Sequence, residues 1–247
     1  MERDADLRNS YNVKIFTTET TSEVKKQFRL GLNQMLMGVW SWWSFDLFTF
    51  ISAYLSVQEI SAQMIFRAVG LLTFMIPCGL QIACQQLLSE SIAKGYHTTI
   101  KQQFKLNLYI ALGTGLVLDL ILFTFQGTIQ EMFTSSERVT ISLDHTWLVF
   151  SVFVICESMY TVAFATVKAA GDQKKGALLC FVSYWVIGMP VSWLLVYKAE
   201  LSISGIWIGL ALACALNTAA CVYIFSKTNW TEVCKSFAKQ MEERRRK

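Results

Sequence analysis

The chain has 247 residues, of which 53% are hydrophobic and 16% are charged, and its mean hydropathy is +0.40. This composition is too apolar for an ordinary soluble domain of the same length. We therefore expect an integral membrane protein surrounded by the lipid bilayer, with no nucleic acid among its partners, and with a net charge of +4 that comes mostly from its cytoplasmic ends.

Six apolar stretches are long enough to cross a bilayer, since a helix needs about 20 residues to span the hydrocarbon core. A polar cytoplasmic leader over residues 1–32 precedes them, and a basic cytoplasmic tail over residues 227–247 follows. The sequence thus predicts an all-α polytopic membrane protein, with a six-helix transmembrane bundle over residues 33–226. The six predicted spans are residues 33–56, 60–88, 106–125, 147–168, 177–197 and 203–226.

Basic residues are shared unevenly between the segments that connect these spans. The leader, the tail and the connections at residues 89–105 and 168–176 hold 19 of the 22 Lys and Arg residues. Connections rich in Lys and Arg lie on the cytoplasmic side of a membrane. The distribution predicts that both termini are cytoplasmic, with the plasma membrane and an organelle membrane as alternatives.

Two carboxylates lie near the centres of predicted spans, Asp46 in the first and Glu157 in the fourth. A charge at mid-depth costs ~2.5–3.5 kcal/mol on insertion scales, so such a residue usually faces a protein interior or an aqueous cavity. Burial favours the neutral acid, which can then load and release a proton. We predict that Asp46 and Glu157 bind protons or cations, and that Asp119, in the third span, makes a polar contact between helices.

Aromatic residues accompany both carboxylates at helical spacing. Trp43 and Phe50 lie three residues before and four residues after Asp46, on the same helical face. Each contact between an aromatic ring and an organic cation contributes ~0.5–2 kcal/mol, so we favour a cavity over lipid contact for these side chains. The predicted substrate cavity is lined by Trp43, Phe50, Gln63, Tyr160 and Tyr184.

Arg67 lies inside the second predicted span, ~10 Å below the outer surface at 1.5 Å per residue. Its side chain is long enough to snorkel outward to water, which is the arrangement we expect. The alternative is an ion pair with Asp46 on the adjacent helix, which would keep that carboxylate ionised and prevent it from exchanging protons. Arg67 is thus a candidate modulator of the site.

Small residues recur at helical spacing in the last span, at Gly205, Gly209, Ala213 and Asn217. Such a stripe permits two helices to approach closely. It predicts tight packing of the last span and carries no information about a substrate.

Several motifs follow one another in a recognisable order. They are WWSFD (Trp42 to Asp46), SAQMIF and MIPCGL with Gln63 and Pro77, KAAGDQKKGA (Lys168 to Ala177), and then SYWVIGMP, SGIWIG and TNW. Over about 200 residues, their order and spacing resemble the second half of a multidrug and toxic compound extrusion (MATE) transporter of eukaryotic type.

The resemblance implies the C-terminal lobe of a fold in which two similar six-helix lobes enclose a central cavity. It also implies exchange of H⁺ or Na⁺ for organic cations or other xenobiotics. Asp46 and Glu157 stand where members of the family carry acidic residues in the seventh and tenth helices.

The sequence departs from the family pattern in three respects. The predicted spans account for the second lobe only, so we expect no first lobe in this chain. The glycine-rich run that the family carries after the eighth helix reads SESIAKG (Ser89 to Gly95). In the eighth helix, Ala68 stands where animal members carry a carboxylate. These departures argue against transport by this chain on its own more than they argue against the fold.

The leading hypothesis is a lobe of a secondary active transporter that extrudes small organic cations in antiport with H⁺ or Na⁺, together with a second lobe from another copy or a partner chain. The alternative is a structural membrane subunit without transport activity, or a truncated transporter fragment that keeps the fold. Enzyme activity is not expected, because the chain has two histidines and no nucleophile, zinc or phosphate-loop motif. We likewise expect no metal site, and no cofactor besides the coupling ion.

Overall fold

A computed structural model describes residues 18–245, and every regular element within this range is helical. The predicted all-α class is therefore confirmed. Residues 1–17 of the predicted leader lie outside the described range, whereas its later residues already belong to the first helix. In chain order the elements are α1 (Thr18–Ser52), α2 (Val57–Ala93), α3 (His97–Thr124), α4 (Gln126–Phe133), α5 (Glu137–Ala169), α6 (Gln173–Cys180), a π-helical segment (Phe181–Gly188), α7 (Met189–Tyr197), α8 (Ser202–Lys227) and α9 (Trp230–Arg245).

Five helical stretches in the described part of the chain are long and apolar enough to cross a membrane. They are α2, α3, α5, the continuous stretch from α6 through the π-helical segment to α7, and α8. The sequence predicts six, and α1 is the difference. Its central turns carry tryptophans, serines and Asp46, which lower its mean hydropathy below that of the other long helices.

Helix α5 lies at the centre of the fold and packs against α2, α3 and α8. Its most apolar stretch is 67% buried, the largest share among the candidate spans of residues 18–245. An aromatic cluster joins it to its neighbours: Phe150 of α5 lies 4.7 Å from Phe66 of α2 and 4.9 Å from Trp207 of α8 between ring centroids. The first pair is tilted and the second is edge-to-face, arrangements in which aromatic rings pack favourably, so this cluster fixes how α2 and α8 pack against α5.

The helix ends at the connections are defined by local side chains. Ser56 and Glu59 form a capping box at the start of α2, and the Ser202 hydroxyl at the start of α8 donates to the Glu59 carboxylate. Gly95 and Gly171 end α2 and α5 with φ of 75° and 77°, a left-handed conformation that glycine adopts without steric cost.

Two hydrogen bonds attach α1 to the segment that follows α6. Trp185 Nε1 donates to the Trp40 carbonyl at 2.9 Å, and the Tyr197 hydroxyl donates to the Ile51 carbonyl at 2.6 Å. Trp185 belongs to the π-helical segment, which ends just before Pro190 in the first turn of α7. This irregular segment places Tyr184 in the interior of the bundle.

A polar bridge joins α2 to the KAAGDQKKGA motif (Lys168 to Ala177) at the end of α5. Gln81 Nε2 donates to the Thr161 carbonyl at 2.7 Å, and Lys168 Nζ donates to Gln81 Oε1 at 2.9 Å. Lys168, the first residue of that motif, therefore lies in the last turn of α5 and not in a loop.

The predicted basic tail contains α9, which packs through Trp230 and Cys234 against a small second core at the ends of α2 and α3. Leu88, Ile92 and Ile100 form the other side of this contact. The tail is thus partly anchored to the bundle. The basic residues Arg244 to Lys247 at the end of the predicted tail have side chains outside the described set.

Candidate functional site

A cavity of about 110 Å³ lies between α1 and α2, with α5, α8 and the π-helical segment forming its inner wall. Its mouth is at the surface beside Trp42 and Leu71, both about half exposed. Two charged side chains, Arg67 and Glu157, are among the residues that line it. The complete lining is Ser41, Trp42, Phe45, Arg67, Gly70, Leu71, Phe74, Phe153, Glu157, Tyr160, Tyr184 and Trp207.

Glu157 stands in the middle of α5 and is 7% exposed. Its carboxylate makes no hydrogen bond and no ion pair with any of the side chains that the structure describes, although it borders the cavity. Phe153 and Tyr160 line the cavity on the same face of α5, as the helical spacing predicts. An unpaired buried carboxylate is costly to keep ionised, so this arrangement suits an acid that accepts a proton or a ligand cation.

The two tyrosines predicted for the cavity do line it, and each hydroxyl is directed at a buried cysteine. Tyr160 Oη lies 3.3 Å from Cys180 Sγ, and Tyr184 Oη lies 3.4 Å from Cys214 Sγ. The ring centroids of Tyr160 and Tyr184 are 6.2 Å apart. The tyrosines therefore present aromatic surface, not hydroxyl groups, to the space beside Glu157.

Asp46 and Arg67 form an ion pair between α1 and α2, in which Arg67 Nη2 donates to Asp46 Oδ1. Arg67 Nη1 also donates to Thr49 Oγ1 at 3.3 Å. The expectation that Arg67 snorkels outward is therefore wrong, and the alternative pairing is what the structure contains. The guanidinium donates to two partners on one turn of α1, and the Arg67 side chain remains 39% exposed.

Three predicted cavity residues lie elsewhere. Trp43 and Phe50 are 58% and 66% exposed on the flank of α1, on either side of Asp46, and Gln63 is buried with no hydrogen-bond partner for Oε1 in the described part of the chain. None of them lines the cavity. The structure also leaves Asp46 out of the lining, so it does not bring the two predicted carboxylates together.

The contact predicted for Asp119 is not formed either. Its buried Oδ1 atom has no hydrogen-bond partner within residues 18–245. Sequence reasoning assigned Asp119 a polar partner on another helix, but the third helix presents it beside apolar and small neighbours, including Gly115 and Leu118 on its buried side.

The cavity contains aromatic residues that sequence reasoning did not select. Trp42 and Phe45 replace Trp43 and Phe50 as the α1 contribution, and Phe74 and Trp207 come from α2 and α8. The signal for Trp207 was present, because it lies in the SGIWIG motif. No signal distinguished Trp42 from Trp43, since both faces of α1 are aromatic. As for a metal, no three His, Cys, Asp or Glu side chains cluster in the part of the chain that the structure describes.

A family model described as MatE matches residues 35–194. The chain is 28% identical over 221 residues to Multidrug and toxin extrusion protein 2 of Homo sapiens, and 26% identical over 208 residues to Multidrug and toxin extrusion protein 1 of Oryctolagus cuniculus. These alignments cover 88% and 84% of this chain but 37% and 36% of the relatives. The chain thus spans little more than a third of the length of the curated relatives it matches.

Solved structures show the same fold. The eukaryotic MATE transporter AtDTX14 superposes with a TM-score of 0.83 at 19% identity, over 91% of this chain and 51% of that one. The Vibrio cholerae MATE transporter VcmN in its bent form superposes with a TM-score of 0.77 at 24% identity, over 87% of this chain and 49% of that one. The described helices therefore correspond to about half of each solved transporter.

Proposed function

The chain belongs to the MatE family, and on this basis we propose that it forms one lobe of a secondary active transporter that extrudes organic cations or other xenobiotics in antiport with H⁺ or Na⁺. Its curated relatives are named multidrug and toxin extrusion proteins. The chain is an integral membrane protein, and we propose that both of its termini lie in the cytoplasm, where basic connections favour them.

The observation that carries the proposal is Glu157 in an aromatic cavity. The carboxylate is buried and has no partner in the described residues, and the rings of Tyr160, Tyr184 and Phe153 surround the space beside it. A carboxylate offers a cation its counter-charge, and aromatic faces add cation–π attraction. A proton on Glu157 and an organic cation beside it would exclude each other, which is the requirement for antiport.

A second lobe is part of this proposal, whether it comes from a longer protein, another copy or a partner chain. The cavity opens on the flank of α1 and α2, and the side chains of Asp46 and Arg67 on that flank are 50% and 39% exposed. Charged groups that face lipid are costly, so this flank suits an aqueous interface with protein on its other side. Carriers with two lobes bind substrate at that interface and rock one lobe against the other.

A membrane subunit without transport activity is the second candidate. The pairing of Asp46 with Arg67 favours it, because one of the two acids predicted to bind cations already has a cationic partner. In that case the fold serves assembly with other subunits, and Glu157 exchanges neither a proton nor a cation.

Uptake into proteoliposomes tests the proposal. The complete chain is reconstituted, and uptake of radiolabelled tetramethylammonium is measured with and without an imposed H⁺ or Na⁺ gradient. We expect gradient-driven uptake that falls at least about tenfold in Glu157→Gln, because the substitution removes the exchanging charge. Glu137→Gln is the matched control, since Glu137 is an exposed residue in the first turn of the same helix.

Equal uptake by the Glu157→Gln variant and the unmodified protein would reject Glu157 as the exchanging acid and favour the membrane subunit. Absence of gradient-driven uptake by the unmodified protein would reject transport by copies of this chain alone, so that the second lobe has to come from a partner chain or a longer protein.

A further inference from the structure

We propose that Arg67 acts as a tethered cation that occupies Asp46, and that it thereby sets how strongly the cavity binds organic cations at Glu157. The inference rests on the proposed function, because it concerns the same cavity. It makes Arg67 a residue that sets the affinity of the cavity for cations, which gives a physical form to the modulating role that the sequence suggests.

The contacts of Arg67 hold its guanidinium in one place. It donates to Asp46 and to Thr49 Oγ1, and Thr49 is fixed in turn because its hydroxyl donates to the Phe45 carbonyl at 2.9 Å. These partners lie on a single turn of α1, opposite Arg67 on α2. The planar fork of an arginine suits such a two-point attachment.

Arg67 and Asp46 differ in how they relate to the cavity. Arg67 lines it, whereas Asp46 does not. The member of the pair that lines the cavity is therefore the positive one. The negative charge of Asp46, which lies outside the lining, compensates the charge of Arg67. Glu157 is left as the acid that lines the cavity.

The pair lies away from the ends of both helices. Asp46 lies six residues before the end of α1 and Arg67 ten residues after the start of α2, or roughly 9 and 15 Å along the helix axes at 1.5 Å per residue. The side chains of Asp46 and Arg67 are 50% and 39% exposed, so water on this flank partly screens both charges. Arg67 nevertheless lines the same cavity as Glu157, and its charge acts on a cation bound there.

This arrangement predicts a specific pattern of affinities. Removing the Arg67 charge withdraws a repulsive cation and frees Asp46, so cations bind more tightly. Removing the Asp46 charge leaves Arg67 uncompensated beside the cavity, so cations bind more weakly. Removing both charges restores the original balance, so the affinity returns close to its starting value. A direct role of Asp46 as the ligand of the substrate predicts instead that the double variant loses binding.

The experiment measures tetramethylammonium binding to the complete chain in nanodiscs of zwitterionic lipid by isothermal titration calorimetry. We expect Arg67→Met to bind at least about tenfold more tightly and Asp46→Asn at least about tenfold more weakly, because close charge pairs in binding sites couple by this much or more. The Arg67→Met/Asp46→Asn variant is expected within about threefold of the unmodified protein, because the two single effects are opposite in sign and similar in size and therefore cancel when they are added. A direct role of Asp46 as the ligand makes the two effects non-additive instead.

Two further variants keep the test decisive. Arg67→Gln removes the charge but retains a donor for Asp46, and it is expected to tighten binding even where the methionine variant folds poorly. Arg138→Met is the matched control, because it removes the same charge from an exposed residue in the first turn of α5 and should leave the affinity unchanged.

Failure of this inference is distinct from failure of the proposed function. The tethered cation is overturned if neither Arg67→Met nor Arg67→Gln binds more tightly than the unmodified protein, or if the double variant loses binding by about tenfold or more. The proposed cation site is overturned if Glu157→Gln binds as well as the unmodified protein, whatever the Arg67 variants do.

Discussion

Replacing Gly209 by alanine is expected to weaken the packing of α8 against α7. A methyl group at this position would overlap Ser192 Oγ and would lie 2.8 Å from the Gly188 carbonyl oxygen and 3.0 Å from Ser192 Cβ. These separations are shorter than Cβ atoms tolerate. Either Ser192 must rotate or the two helices must separate.

The magnitude follows from three contributions. Overpacking of a tight interface typically costs ~1–3 kcal/mol. Rotation of Ser192 also breaks its hydrogen bond to the Ile206 carbonyl, which is 3.3 Å long and contributes about 1 kcal/mol. Alanine is a better helix former than glycine by about 1 kcal/mol, which offsets the lost hydrogen bond. The net loss of unfolding free energy for Gly209→Ala is therefore about 1–3 kcal/mol.

Unfolding of the purified protein in mixed micelles, titrated with sodium dodecyl sulfate and followed by circular dichroism, measures this loss. Gly113→Ala is the control, because Gly113 is in the middle of α3 and a methyl group there meets no atom within 4 Å. That control is expected to stabilise the protein by ~0.5–1 kcal/mol. Adding Ser192→Ala to Gly209→Ala should recover part of the loss. Equal shifts for Gly209→Ala and Gly113→Ala would refute the reasoning.

Two other predictions test contacts away from the cavity. Tyr197→Phe removes the 2.6 Å hydrogen bond to the α1 backbone and should lower the unfolding free energy by ~0.5–1.5 kcal/mol in the same titration. The control Tyr109→Phe, at a 72% exposed residue, should change the unfolding free energy by less than about 0.5 kcal/mol. Equal losses for the two variants would contradict this prediction. Burial raises the pKa of the Cys234 thiol in α9, so less thiolate is present at neutral pH. The pH midpoint of its alkylation, followed by mass spectrometry of the Cys234 peptide, should therefore lie above that of an unfolded peptide with the same sequence. An equal or lower midpoint would contradict burial of this thiol.

The membrane class and the helical fold were predictable because both depend on local composition. Runs of apolar residues must form helices in a bilayer, since every backbone polar group has to be satisfied within the segment. Helix α1, predicted as the first span, is not among the five candidate spans, because Trp residues and Asp46 interrupt its apolar run. The sequence prediction also missed α9, because the contact of Trp230 with a second core depends on distant residues.

The sequence alone determined the features that lie within one helix. Glu157, Phe153 and Tyr160 share a face because the helical repeat places them there, and the family motifs identified the same region. The tertiary structure decided which residues meet across helices. Successive residues on a helix point about 100° apart, so a rotation of α1 by one position decides whether Trp42 or Trp43 enters the cavity.

The packing of the helices also determined which of the two carboxylates has a charged partner. Asp46 and Arg67 are 21 residues apart in the chain and meet because α1 and α2 pack with these faces together. A side chain as long as arginine reaches either water or a neighbouring helix, and only the packing of the two helices selects between these partners. Composition and periodicity therefore placed two acids in the membrane, while the packing gave Asp46 a cationic partner and left Glu157 without one among the described residues.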